Sequence, residues 1–407
     1  MTAVVTGIGV TAPNGLGVEA YWKAALDGQG GLGPLTRFDA TQYPTRIAGE
    51  VDGFDAAEHL PSRLIPQTDH MTRLALKAAD EALADAAVDT AALDEYGMGV
   101  ITGASGGGVE FGHRELQNLW SKGKEYVSAY QSFAWFYAVN TGQISIRHGL
   151  RGPSGVLVTD QASGIDALGH ARRQLRRGTG LVVSGGVDGA LCPWGWVAQI
   201  ATGELSRVDD PERAYLPFSA EASGYVPGEG GALLVVEEAE AARARGAHQV
   251  YGEIAGYAAT LDPKPGSGRP PGLERAIRAA LAEAGAAPAD VDVVFADAAG
   301  VPDRDRAEAD ALVAVFGARG VPVTAPKAGT GRLFAGGGSL DTATALLALR
   351  DGVIPPTPYV DAADPAYGLD LVTGAAREAR LRTALVVARG HGGFNSAVVL
   401  RGSGSTR

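Results

Sequence analysis

The most constraining feature of this sequence is a short apolar run that gives way to a glutamine and then to an amphipathic segment. Residues 154–159 are mostly small or β-branched, and Ile165, Leu168 and Ala171 follow at helical spacing. This pattern predicts a strand, a tight turn and a buried helix, with Gln161 at the helix start. Unpaired N–H groups and the helix dipole favour negative charge there, and many enzymes place a nucleophile at such an elbow. An amide is not a nucleophile at neutral pH, so the sequence predicts an elbow without covalent chemistry.

The composition limits the classes of function. A chain of 407 residues suits two half-domains of about 150 to 200 residues each. The net charge of −11 argues against non-specific nucleic-acid binding. Cys192 is the only cysteine, which excludes a disulfide framework and a cysteine-based metal site, and we expect a buried, inert thiol. No run of about 18 apolar residues occurs, so we expect a cytoplasmic protein that does not bind membranes.

One order of elements recurs about 200 residues apart, as an internal repeat would. An amphipathic helix at 72–86 precedes a strand at 97–103, and a helix at 273–284 precedes a strand at 291–296. The sequence therefore predicts two similar α/β halves, residues 1–245 and 246–407. Further strands are predicted at 181–186 and 231–236, and a closing hairpin at 383–388 and 396–400.

Several separate motifs agree in order with one family. Besides the glutamine elbow, they are Val4-Val-Thr-Gly-Ile-Gly9 and Gly392-Gly-Phe-Asn395, so the agreement spans nearly the whole chain. The sequence resembles the ketosynthase family, and more closely the chain length factors, or ketosynthase β subunits, of type II aromatic polyketide synthases. The resemblance implies the α/β thiolase-like fold with its duplicated five-layer αβαβα architecture. It also implies cysteine at the elbow of active ketosynthases, where many chain length factors have glutamine.

Both catalytic histidines of a ketosynthase are replaced. The resemblance places the first in a motif V-D-x-V-N-A-H-G-T, which here carries Asp297, and the second in K-S-x-x-G-H, which here ends in Arg332. A carboxylate would repel a malonyl carboxylate, and a guanidinium cannot act as an acid or base near pH 7. The loss of the whole Cys-His-His set indicates a partner subunit that does not condense.

The replaced positions have simpler interpretations as well. Asp297 and Arg332 are expected to form a structural ion pair, because buried charges are paired. The Gln161 amide is expected to hydrogen-bond to its neighbours. In the other interpretation its NH₂ donates to the thioester or enolate oxygen of a malonyl group and assists decarboxylation.

A chain length factor is implied to pair with a ketosynthase α subunit and to shape a tunnel for the poly-β-ketone. Its substrates are implied to arrive on the phosphopantetheine of an acyl carrier protein, with no cofactor or metal bound directly. The family's gating positions fall at Val109, Gly112 and Leu116, none of which is aromatic. We therefore predict a long pocket, favouring roughly ten to twelve ketide units over about eight. Bulk at Phe111, Phe133 or Trp194 would shorten it, and ordinary core or interface residues are the other interpretation of the three positions.

Residues 128–139 are unusually rich in aromatic side chains. Aromatic anchors dominate protein interfaces, but a hydrophobic core would use the same residues. The sequence favours neither interpretation over the other.

Three alternative functions remain open at this point. The strongest is a purely scaffolding subunit that neither gates nor decarboxylates. A serine hydrolase would use Ser105 in a G-x-S-x-G match, with His391 as base. The third alternative is an active ketosynthase.

Overall fold

The first half of the chain contains most of the helices. The computed structural model describes residues 1–264 and 266–404, and in that part of the chain no helix is long and apolar enough to cross a membrane. The strands here are β1 (Ala3–Ala12), β2 (Gly15–Leu16), β3 (Leu32–Pro34), β4 (Ile47–Gly49), β5 (Met98–Gly103), β6 (Ser154–Leu157), β7 (Leu181–Asp188) and β8 (Gly230–Glu238). The helices are α1 (Val18–Leu26), α2 (Ala56–His59), α3 (His70–Asp85), α4 (Val109–Lys122), α5 (Gln131–Ala134), α6 (Val139–His148), α7 (Ser163–Leu175), α8 (Pro193–Ile200) and α9 (Ala239–Ala244).

The second half contains longer helices between short strands. Its strands are β9 (Gly252–Leu261), β10 (Val293–Phe295), β11 (Pro322–Thr324), β12 (Val353–Ile354), β13 (Asp370–Leu371), β14 (Arg377–Glu378), β15 (Thr383–Arg389) and β16 (Phe394–Gly402). Its helices are α10 (Gly272–Ala284), α11 (Pro302–Phe316) and α12 (Ala335–Asp351).

The two halves repeat one strand order. The first half is ordered β6-β5-β7-β8-β1, and the second is ordered β11-β10-β15-β16-β9. In each, the second strand in this order (β5 or β10) is parallel to both neighbours, and the following pairs are antiparallel. The halves join where Val4 and Val5 of β1 pair with Glu253 and Gly252 of β9. The predicted internal repeat is therefore confirmed.

Alternate residues of each strand face different helix layers, as the pleat of a strand requires. In β7, Val183 packs in the core formed with α3, whereas Val182 packs in the central core that contains α7 and α12. In β15, Val386 faces the same central core, and Leu385 faces the core formed with α10 and α11. Helices α7 and α12 thus lie between the two sheet halves, which confirms the predicted five-layer αβαβα architecture.

Most of the predicted elements occur with small shifts at their ends. The helix expected at 72–86 is α3, the one expected at 273–284 is α10, and the closing hairpin is β15 with β16. The strand expected at 291–296 is shorter, because β10 contains only Val293–Phe295. The boundary between residues 245 and 246 stays a prediction, and residues 405–407 of the second half lie outside the described part of the chain.

Candidate functional site

The predicted elbow follows β6 at the carboxyl end of the parallel strands. Residues Asp160–Ala162 form one 3₁₀ turn, and α7 begins at Ser163. Asp160 has φ +54°, a conformation that residues other than glycine rarely adopt. Its Oδ2 accepts the backbone N–H of His391 at 2.8 Å, and a Cβ on Gly390 would lie 2.2 Å from the Thr159 carbonyl oxygen. The C-terminal glycine-rich loop therefore packs directly on the elbow.

The Gln161 side chain is buried but faces a cavity. It is 7% exposed and lines a polar cavity of about 150 Å³ together with Arg332, Phe334 and His391. Its amide makes no hydrogen bond to any residue in the described part of the chain. The expectation that neighbouring residues would satisfy the amide was therefore wrong. The amide is therefore not committed to a protein partner in the described chain.

Asp297 and Arg332 form the expected buried ion pair. Arg332 Nη2 lies 3.1 Å from Asp297 Oδ2 and 3.2 Å from Oδ1, while Nη1 donates to the Asp297 carbonyl oxygen at 3.0 Å. Burial by itself would raise the pKa of Asp297, but the guanidinium outweighs this and holds the pKa below its ordinary value. Burial by itself would lower the pKa of Arg332, but the charge of Asp297 and the neighbouring tyrosines outweigh it and raise the pKa. Neither group can exchange a proton with a substrate near neutral pH.

A second acidic residue supports the turn that carries Asp297. Glu308 accepts the backbone N–H groups of Asp297 at 2.7 Å and Ala298 at 2.8 Å. Burial, reinforced by the charge of Asp297, raises the pKa of Glu308 to about 7. Asp305 also stabilises this part of the backbone, because its carboxylate accepts the N–H groups of Gly300 and Phe218. These carboxylates hold the backbone of the turn and do not line the Gln161 cavity.

A larger cavity adjoins the first. It has a volume of about 290 Å³ and is lined by Val109, Trp194 and Ser105. It shares Asp160, Gln199 and Phe334 with the Gln161 cavity. Sequence reasoning missed Phe334, which stands in the wall common to both cavities. Phe334 is distinguished by its backbone conformation, with φ +51° immediately before α12. No sequence pattern reveals that conformation.

The three predicted gating residues lie at different depths on α4. Val109 lines the larger cavity. Gly112 is buried, and a Cβ there would lie 3.6 Å from Trp135 Cβ and from Trp194 Cζ3. Leu116 is 39% exposed and lies at the surface. The structure therefore brings Val109 and Gly112 to the cavity and its rim, and leaves Leu116 outside.

The bulky residues expected to compete for this space also separate. Phe111 is buried under the Arg114 guanidinium, which lies 4.6 Å from the ring centroid. Phe133 packs edge-on against Tyr130. Trp194 alone of the three lines the larger cavity.

The two other nucleophile candidates are not arranged for catalysis. The Ser105 hydroxyl donates to Asp188 Oδ2 at 2.5 Å and makes no hydrogen bond to His391 or to another imidazole of the described chain. Cys192 is buried, and burial raises the pKa of its thiol to about 11. The expectation of an inert thiol is confirmed, and the serine hydrolase interpretation has no base.

The aromatic segment lies at the surface and not in the core. Trp135, Phe136 and Tyr137 are all exposed, as are Trp194 on α8 and, near the end of α4, Trp120, which is 83% exposed. Large contiguous apolar patches on a protein surface mark interaction sites. The sequence favoured neither interpretation, and the structure excludes the hydrophobic core for Trp135, Phe136 and Tyr137.

The fold and the site together define a condensing-enzyme framework in which the elbow carries no nucleophile and the cavity no catalytic imidazole pair. The sequence comparison agrees. The N-terminal domain of the beta-ketoacyl synthase family matches residues 2–242, and its C-terminal domain matches residues 251–361. The chain belongs to the beta-ketoacyl synthase family, and within it to the ketosynthase β subunits, or chain length factors, of type II polyketide synthases.

Two curated relatives are similar over nearly their whole length. A relative from Streptomyces coelicolor, whose name assigns it to the actinorhodin polyketide as beta-ketoacyl synthase 2, is 64% identical over 98% of this chain and 98% of the relative. The tetracenomycin polyketide synthase ketoacyl synthase beta subunit of Streptomyces glaucescens is 62% identical, again over 98% of each chain.

Two solved structures share the fold. The ishigamide ketosynthase/chain length factor aligns with a TM-score of 0.88 and 29% identity, over 99% of each chain. A type II polyketide synthase acyl-carrier protein in complex with its ketosynthase bound to the hexaketide aligns with a TM-score of 0.87 and 25% identity, over 98% of this chain and 99% of the other.

Proposed function

We propose that this chain is the non-condensing subunit of a type II polyketide ketosynthase heterodimer, and that it shapes the tunnel that limits the length of the poly-β-ketone. One observation carries the proposal. The family framework surrounds an elbow whose residue is Gln161, and an ion pair occupies the two positions where the family resemblance expects histidines. Such a site cannot hold an acyl chain covalently, but its cavities can receive one. The chemistry is then supplied by a partner.

The partner surface is proposed to combine an apolar patch with a free sheet edge. The patch consists of Trp120, Trp135, Phe136, Tyr137 and Trp194. Strand β6 pairs only with β5, so its outer edge presents unpaired backbone groups within the described chain. The two features suit a ketosynthase α subunit, and a solved structural neighbour is a ketosynthase paired with a chain length factor. An aromatic core at the interface would supply most of the binding energy.

The acyl carrier protein is proposed to deliver substrates to the heterodimer on its phosphopantetheine arm. A structural neighbour is an acyl-carrier protein bound to its ketosynthase. The net charge of −11 opposes contact with an acidic carrier protein except at local basic patches or on the partner subunit.

The chain-length role rests on the wall formed by α4 and α8. Val109 and Trp194 line the 290 Å³ cavity, and Gly112 leaves space beside Trp194 that a larger side chain would fill. Leu116 lies at the outer end of the proposed gate, and there the partner subunit would cover its exposed side chain. A small residue at position 112 leaves room for a longer acyl chain.

A second proposed role is assistance to malonyl decarboxylation by Gln161. It is supported by the free amide of Gln161, which faces a cavity large enough for a malonyl group. His391 lines the same cavity, but its backbone N–H donates to Asp160 Oδ2. The Gln161 amide would donate to an enolate oxygen beside the Arg332 guanidinium, which lines the same cavity.

The test is a Gly112→Phe variant reconstituted with the cysteine-bearing α subunit. A benzyl group at this position must fill the space beside Trp194, so we expect the principal product to lose at least one ketide unit. Gly112→Ala is the matched control, because its Cβ makes only ordinary contacts, and it should give the original length. An unchanged length with Gly112→Phe in an intact heterodimer would favour a purely scaffolding subunit.

A further inference from the structure

Asp69 lies where two helices begin. As the N-cap of α3, its Oδ1 accepts the backbone N–H of Met71 at 3.0 Å. Its Oδ2 accepts the backbone N–H of Phe111, in the first turn of α4, at 2.7 Å. The side chain is 3% exposed. One buried carboxylate therefore caps two helices that are far apart in the sequence.

Among the residues that the structure describes, no other side chain caps helix α4. Its N-cap is Gly108, which has no side chain to accept the N–H groups left free in a first helical turn. The contact with Asp69 is also close, because a Cβ on Gly108 would lie 2.8 Å from Asp69 Cβ and 2.2 Å from the Ala134 carbonyl oxygen. The start of α4 is thus held against the start of α3 by Asp69.

The turn held by Asp69 is the one that forms the cavity wall. Val109 is the first residue of α4 and lines the larger cavity opposite Trp194. Gly112 follows one turn later, beside the same indole ring. A shift of this turn would change the width of the cavity directly.

We propose that Asp69 is a positioning residue that fixes the first turn of α4 and thereby sharpens the distribution of product lengths. This inference rests on the proposed chain-length function. Asp69 touches no substrate, and it acts only through the helix that carries Val109 and Gly112. Hydrogen bonds to a carboxylate are stronger than neutral ones, and two of them from helix N-termini converge on this buried side chain.

The test is an Asp69→Asn variant of this subunit in the reconstituted heterodimer. An amide has one oxygen, so asparagine keeps one cap and presents NH₂ to the other N–H. Asparagine is also a good N-cap, so α3 can remain intact. We expect hydrogen exchange of the α4 first-turn amides to rise by about tenfold. We also expect the share of the principal product to fall by about twofold, with neighbouring chain lengths replacing it.

Asp55→Asn is the matched control. Asp55 is also an N-cap, accepting the Ala57 N–H at 2.8 Å, but it is exposed and caps only α2. It should leave both the exchange rates of α4 and the product distribution unchanged. A merely structural role for Asp69 would lower the melting temperature without broadening the product distribution of the folded heterodimer.

The outcomes separate the two proposals. If Asp69→Asn gives the original product distribution while Gly112→Phe still shortens the product, the role of Asp69 is overturned and the chain-length function stands. If neither variant changes the product, the chain-length function itself fails. Should Asp69→Asn not assemble, Asp69→Ser keeps a cap for α3 with a hydroxyl too short for α4. Failure of both to assemble would make Asp69 a folding residue and overturn the positioning role.

Discussion

Arg332 Nη2 lies 3.1 Å from Asp297 Oδ2 and 3.2 Å from Oδ1, in an ion pair that is almost completely buried. Asp297 Oδ1 also accepts the backbone N–H of Arg389 at 2.9 Å. The pair therefore joins the turn after β10, the segment before α12 and the end of β15. Two positions that the family resemblance assigns to catalytic histidines instead hold the framework together.

Breaking the pair should destabilise the protein strongly. Arg332→Met leaves the Asp297 carboxylate buried without its counter-charge, so we expect the free energy of unfolding to fall by about 3–5 kcal/mol. Urea titration at pH 7.5 measures the change. Arg332→Met combined with Asp297→Asn should recover much of the loss, since the unpaired charge is gone. Equal stability of the single and double variants would contradict this account.

A thiol at the elbow should not restore condensation. Gln161→Cys places a nucleophile at the start of α7, but Asp297 and Arg332 offer no imidazole to assist loss of CO₂. We expect no carbon–carbon bond formation by this subunit when the cysteine of the α subunit is alkylated. Product analysis by mass spectrometry measures it, with the unmodified heterodimer as the positive control. Polyketide formed under these conditions would show that the missing histidines are not needed.

Removing the Trp194 indole should lengthen the product. The ring lines the larger cavity beside Val109 and Gly112, and its loss opens space for about one further ketide unit. Trp194→Ala in the reconstituted heterodimer tests this by the mass of the principal product. Trp120→Ala is the control, because Trp120 belongs to the exposed patch and not to the cavity lining. It should weaken assembly without altering length.

Protonation of Glu308 should stabilise the folded protein as the pH falls. Burial and the charge of Asp297 raise its pKa from the ordinary value of 4.5 to about 7, so between these pH values the folded state binds the proton more strongly than the unfolded chain does. The free energy of unfolding should therefore rise by about 1–3 kcal/mol between pH 8 and pH 5 through this group alone. His170 acts in the opposite direction, because burial lowers its pKa.

The effect of Glu308 is isolated by comparison with Glu308→Gln, which cannot titrate. The variant should show a flatter dependence of unfolding free energy on pH across this range, measured by urea titration at several pH values. Parallel curves for the two proteins would mean that Glu308 keeps an ordinary pKa.

Much of the framework follows from local sequence pattern. Apolar periodicity predicted α3 and α10, and the alternation of apolar runs with turn residues predicted β5, β7 and the closing hairpin. The order of those elements, repeated in each half, predicted the duplication. The elbow was predicted because small residues, Gln161 and an amphipathic helix are adjacent in the chain, and the burial of Cys192 follows from the usual environment of a free thiol. These features depend on residues that are close together in the chain, so the sequence pattern predicts them directly.

Other features depend on which distant segments meet. The sequence placed Val109, Gly112 and Leu116 on one helix, but only the tertiary structure shows that Val109 reaches the cavity while Leu116 faces outward. It also left the aromatic segment undecided between core and interface, because burial depends on what covers a side chain. Phe334 lies in the cavity wall because of a backbone conformation that the local sequence pattern does not predict.

The sequence by itself determined the family, the duplicated fold and the loss of the nucleophile and both histidines, because each is a matter of residue identity in ordered motifs. The tertiary structure alone decided that the Gln161 amide is unpaired, that Asp69 caps two helices and that two cavities share one wall. These are relations between segments separated by tens to hundreds of residues, and their distances are set by the packing of the layers around α7 and α12.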